Sequence, residues 1–162
     1  MGQLWAAQED WQKAQECYEQ ALKLDSQRDR IHHRLGDVYL KQELLAKAVA
    51  SYRKALELNR DYSWTYHNLG DALLQLKRYE EAANAYRKAI ALKDDFAWSY
   101  YNLGEALSAI QDWEEAHQIY QKAQELDSEL PEIAEKLDRS LYYRIKSDLQ
   151  SAYELFCHGD YS

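Results

Sequence analysis

Residues 63–73 read SWTYHNLGDAL, and residues 97–107, 34 positions further on, read AWSYYNLGEAL. The two share Trp, Tyr, Asn, Leu, Gly, Ala and Leu in register. Working outward, the same period places Gly2, Gly36, Gly70 and Gly104 in one column. Further columns hold Ala14, Ala48, Ala82 and Ala116; Tyr18, Tyr52, Tyr86 and Tyr120; Ala21, Ala55, Ala89 and Ala123; and Leu24, Leu58, Leu92 and Leu126. A fixed period of this length marks an array of small structural units. Within each unit apolar residues recur three and four apart, the spacing of amphipathic helices, so a unit reads as two helices of about 13 residues joined by short turns.

Packing explains the columns. A glycine inside a helix costs roughly 1 kcal/mol relative to alanine, so four in register imply a compensating gain. The expected gain is close backbone approach between neighbouring helices, with the alanine columns serving the same end. The tyrosines supply bulk against these small residues, as interdigitating layers require.

The columns resemble those of the tetratricopeptide repeat, whose first helix is similar to 63–73 and 97–107. The starts of its second helix are similar to RYEEA (78–82) and DWEEA (112–116). The resemblance covers residues 1–130. It implies an all-α, right-handed α-solenoid of stacked helix-turn-helix units over 1–162. The divisions are a truncated repeat (1–28), three full repeats (29–62, 63–96 and 97–130) and a degenerate or capping repeat (131–162). The family's usual proline near each repeat end is here Ser26, Arg60, Asp94 and Ser128, polar turn residues that stop a helix as well.

Both ends depart from the pattern. Met1-Gly2 stands where later repeats have Leu-Gly, so about half of a first helix is missing by comparison with the later repeats. This gives the chain the look of a piece of a longer protein. After Pro131, Ile133, Ala134, Leu137, Leu141 and Ile145 form a stripe, while Asp138 replaces the column glycine. DLQSA (148–152) echoes DWEEA, and Phe156 falls near the tyrosine column. The expectation is a fifth helix pair with a longer turn, fraying near Gly159, with one long capping helix as the alternative.

Composition narrows the function. A hydrophobic share of 46% and an aromatic share of 13% argue for a folded chain. The net charge of −8 argues against nucleic acid, whose phosphates call for clustered Lys and Arg. No apolar run reaches the ~18 residues of a membrane span, so no membrane partner is expected. Two cysteines, Cys17 and Cys157, without a CxxC pair or a glycosylation sequon, suit a reducing, cytoplasmic setting.

The sequence gives little reason to expect catalysis. His33 and His67 share a column, with Asp37 and Asp71 one turn on, but the next repeat has Tyr101 and Glu105 there. The repeat columns account for these residues, so no metal or other cofactor is expected. Cys17 shares its column with Ser51, Ala85 and Ile119, which favours packing. No glycine-rich phosphate loop is present. The chain reads as a non-enzymatic interaction module.

In the family, first helices line a concave binding surface at the second, fifth, ninth, twelfth and thirteenth residues of a repeat. Here the resemblance implies Arg30, His33, Asp37, Leu40 and Lys41; then Trp64, His67, Asp71, Leu74 and Gln75; then Trp98, Tyr101, Glu105, Ser108 and Ala109. Trp64 and Trp98 are candidate anchors, or else pack across the repeat junction behind Tyr62 and Phe96. Asp37, Asp71 and Glu105 form an acidic ladder, which suits a basic, apolar peptide or protein segment. It argues against the clamp with which some family members hold a partner's C-terminal carboxylate. Two other readings compete. One is an accessory, substrate-recruiting domain, since the repeats resemble those joined to glycosyl-, sulfo- or methyltransferases. The other is self-association through the first-repeat edge around Leu4 and Trp5.

Overall fold

The computed structural model describes residues 1–158, and all regular structure among them is helical. The helices are α1 (Gly2–Ala7), α2 (Trp11–Leu24), α3 (Asp29–Lys41), α4 (Leu45–Leu58), α5 (Ser63–Gln75), α6 (Tyr79–Leu92), α7 (Ala97–Ala109), α8 (Trp113–Leu126) and α9 (Ile133–His158). They gather into two compact units, Met1–Asp95 with α1–α6 and a second from Phe96 with α7–α9. In the first, α1 packs on α2, α3 on α4 and α5 on α6, with α2 on α3 and α4 on α5. In the second, α8 packs on both α7 and α9. This is the helix-pair stacking of an α-solenoid.

Two kinds of turn set the pairs, and neither uses glycine or proline. Inside each repeat the chain leaves the first helix through a left-handed residue: Glu9, Glu43, Lys77 and Gln111, with φ of 58°, 59°, 59° and 65°. The following N–H reaches back to close the helix end, as from Leu44 to Tyr39 O (2.8 Å) and from Arg78 to Leu73 O (2.9 Å). That is the Schellman closure, which glycine usually makes without a Cβ penalty. Between repeats, the carboxylates of Asp25 and Asp127 and the amide of Asn59 accept the backbone N–H two residues on, at 3.1, 2.9 and 3.1 Å. These local turns stop the second helix where the family commonly has proline. They lie one residue before the positions the sequence comparison singles out.

The glycine column has a different cause from the expected backbone approach. A Cβ built on Gly36, Gly70 or Gly104 would lie 2.6, 2.6 or 2.5 Å from the ring of Tyr52, Tyr86 or Tyr120. Each first helix omits a side chain so that its partner helix can bury a whole phenol ring. The gain is aromatic burial, which outweighs the helix penalty. The alanine columns are buried beside these rings, with Ala48, Ala82 and Ala116 fully enclosed. The leucine column is not core: Leu24 is 91% exposed, and Leu92 and Leu126 are also exposed.

The last segment corrects the two-helix expectation. Residues 133–158 form one helix, because no glycine or proline stands between Pro131 and Gly159 to stop it. Its first half takes the place of another first helix: Ile133 and Ser140 are buried, and Tyr143 stacks on Trp113 at 4.6 Å. Asp138, in the glycine column, is exposed. Ala134 and Ile145 of the expected stripe are exposed too, and Phe156, expected in the tyrosine column, is 71% exposed. Among the described residues no tyrosine ring packs against Asp138, so the space that a glycine would leave is not needed. The expected fraying at Gly159 lies outside the described residues.

Candidate binding groove

The acidic ladder is built into the tyrosine column. Tyr52 Oη donates to Asp37 Oδ1 at 2.9 Å, Tyr86 Oη to Asp71 Oδ1 at 2.6 Å, and Tyr120 Oη to Glu105 Oε1. The same 15-residue offset makes all three bonds, so the carboxylates and phenols are one repeating device. A buried phenol needs an acceptor, and the carboxylate at the rim supplies it. Asp37 is held further by Asn68 Nδ2 at 2.9 Å, and its Oδ2 lies 3.4 Å from His33 Nε2 and 3.7 Å from Arg34. Asp71 lies 3.4 Å from His67 Nε2.

The two histidines belong to this scaffold. His33 and His67 are buried. Nδ1 of His33 shares a hydrogen bond with Thr65 Oγ1 at 3.0 Å, so a neutral ring that donates from Nε2 satisfies both sides. Burial lowers the pKa of both imidazoles, and the facing aspartates offset this only in part. Burial, and then the charge of Asp37, pushes the Tyr52 phenol far up, so it stays a donor. Among the described residues no group of three His, Cys, Asp or Glu side chains is placed to hold a metal ion.

In the first unit a cleft of about 630 Å³ opens between α1, α3 and α5. Trp64, Asp37, Asp71, Leu40 and Lys41 line it, together with Arg34 and Trp11, which the column comparison misses. Trp64 is 42% exposed and stacks on His67 at 5.2 Å, so the ring contact holds the indole while part of its surface reaches the cleft. Arg30 does not join this cleft; with His33 it lines a separate hollow beside Cys17 and Tyr62.

In the second unit Trp98 is 40% exposed and meets Tyr101 edge-on at 5.5 Å. Tyr101 is buried, so it supports the indole rather than offering a contact of its own. Glu105 is bound from the other side by Lys136 Nζ at 3.0 Å. Burial opposes the charge on Lys136, but Glu105 outweighs it and the ammonium's pKa is raised. Sequence columns predict a donor there, since 136 follows Asn68 and Asn102 at the same period.

Comparisons with known proteins agree with this architecture. Tetratricopeptide repeat models match residues 1–63, 51–83 and 97–130, and a TPR repeat model matches 70–111. The chain belongs to the tetratricopeptide repeat family. Among solved structures it is similar to MamA 41-end from Desulfovibrio magneticus RS-1, with 22% identity over 96% of this chain and 87% of that one, TM-score 0.82. It is also similar to the first TPR of Spaghetti (RPAP3) bound to HSP90 peptide SRMEEVD, with 26% identity over 73% and 94%, TM-score 0.68. The Arabidopsis OM64 TPR domain matches with 22% identity over 69% and 93%, TM-score 0.66. No curated protein sequence matches. These relations support a protein–protein interaction scaffold, and no helix among the described residues is long and apolar enough to cross a membrane.

Proposed function

We propose that this chain is a non-enzymatic module that takes a peptide or protein segment against the first-helix side of its repeats. The single observation that carries this is Trp64: an indole stacked on His67, 42% exposed, and lining a cleft of about 630 Å³. A rigid, half-exposed Trp is the kind of side chain that dominates interface energies. Asp37, Asp71, Arg34 and Lys41 line the same cleft beside the apolar Val38 and Leu40. The segment chemistry this favours is an aliphatic or aromatic anchor flanked by a basic residue. The peptide bound by the RPAP3 repeat supports the peptide-binding mode, while its acidic run differs from the chemistry preferred beside Asp37 and Asp71. Trp98, Tyr101 and Glu105 repeat the arrangement in the second unit with its charge cancelled by Lys136. The free thiols of Cys17 and Cys157 accord with a reducing, cytoplasmic setting.

Selection from a random peptide library against the immobilised chain tests this. Enriched sequences should carry an apolar residue beside Lys or Arg, and a Trp64→Ala, Asp71→Lys variant of unchanged helicity should lose them. A wild type that enriches nothing, or a variant that enriches the same peptides, overturns the reading.

A further inference from the structure

The C-terminal half of α9 and a cleft on α4–α6 are not used by the groove, and their chemistry is complementary. From Ile145 to Cys157 every residue of α9 is exposed, Leu149, Tyr153 and Phe156 among them. A single helix projecting without a tertiary partner is marginal, because most helical stability comes from packing an apolar face. From Ser147 to His158 this helix carries Asp148 and Glu154 and no Lys or Arg. The cleft, of about 480 Å³, has an apolar floor of Leu56, Leu69 and Leu73 and a rim of Arg53, Arg60 and Lys88. Its acids are already engaged: Glu81 with Arg53 at 2.6 Å and Glu57 with Lys54 at 2.9 Å. Arg60 makes no ion pair among the described residues, and the Lys88 ammonium has only the Tyr66 ring, 5.6 Å away. Two uncompensated cations around an apolar floor stand out in a chain of net charge −8.

We propose that the C-terminal half of α9 docks into the α4–α6 cleft of a second copy of this chain. The apolar stripe covers the floor, and Asp148 and Glu154 meet Arg60 and Lys88. The contact joins different surfaces on the two copies, so it propagates head to tail or closes into a ring. It strengthens at low ionic strength, since its charges sit at a solvent-exposed rim.

Sedimentation velocity of the full chain across a concentration series is the test, run at low and high salt. Wild type should associate more as concentration rises, and less in high salt. An Arg60→Glu, Lys88→Glu variant and an Asp148→Lys, Glu154→Lys variant, each of unchanged helicity, should each weaken association on the order of tenfold or more. Mixed in equal amounts, they should associate again, because each then offers the charge the other lacks. Trp64→Ala should leave association unchanged, which separates this contact from the peptide groove. A wild type that stays monomeric throughout, variants that associate as tightly as wild type, or a mixture that fails to recover overturns the proposal.

Discussion

Asn68 and Lys136 stand two repeats apart on the same column and do the same task with different charge. In the first unit Asn68 donates to Asp37, which also accepts from Tyr52. In the second, Lys136 donates to Glu105, which also accepts from Tyr120. The scaffold asks only for a donor beside the carboxylate, and an amide or an ammonium meets that need. The surface consequence differs: the amide adds no charge beside Asp37, and the ammonium adds a cation beside Glu105. The sequence ladder runs through both units, but the donor in this column carries a charge only in the second.

The largest expected effect probes what the two units share. Gly70→Ala and Gly104→Ala each force a Cβ into a buried tyrosine ring and should cost about 1–3 kcal/mol in urea unfolding. Asp138→Ala, in the same column but on exposed α9, should stay within about 0.5 kcal/mol. Equal losses at all three sites would break the distinction between a ring-facing column and its exposed continuation.

Next come the two donors themselves. Asn68→Leu removes a partly buried bond to a carboxylate and should cost about 1.5 kcal/mol with little salt dependence. Lys136→Leu removes a part-buried ion pair and should cost about 1.5 kcal/mol as well, but with a loss that shrinks in high salt. A salt titration that treats both alike would refute the contrast between amide and ammonium.

Acidification should then separate the units. His33 and His67 have lowered pKa values in the fold, so the unfolded chain binds protons first as pH falls. Their contribution is complete above the ordinary histidine pKa of about 6.5 and is lost as pH drops toward the folded values. Hydrogen exchange should therefore show α3 and α5 losing protection between neutral and mildly acidic pH, while α7, with Tyr101 in that column, keeps its own. The smallest effect is a gain. Lys77→Gly relieves a left-handed non-glycine turn and should stabilise by about 0.5–1 kcal/mol, measured by thermal unfolding.

Much of the fold was legible because each repeat states the same local rules again. Helix spacing and the small-residue columns act within a few residues of the chain, while the polar stops expected at Ser26, Arg60 and Ser128 are made one residue earlier, by Asp25, Asn59 and Asp127. The candidate site was legible in part. Trp64, Asp37 and Asp71 do line one cleft, whereas Arg30 lines another and His33, His67 and Tyr101 are buried beneath the surface. A column records that a residue keeps its surroundings from repeat to repeat. It does not say whether those surroundings are solvent, a ring or a neighbouring carboxylate.

By itself, the sequence determined the period of 34, the alternation of paired helices and the facing of large against small residues. These follow from apolar periodicity and side-chain volume, which are local properties. Tertiary structure alone decided that the glycines make room for rings rather than for a neighbouring backbone, and that the same phenols fasten the acidic ladder. It also decided that α9 runs on as one helix with Phe156 in the open. Each depends on which partner, if any, arrives across space. Residues that satisfy a helix equally well with or without a neighbour carry no mark of that choice.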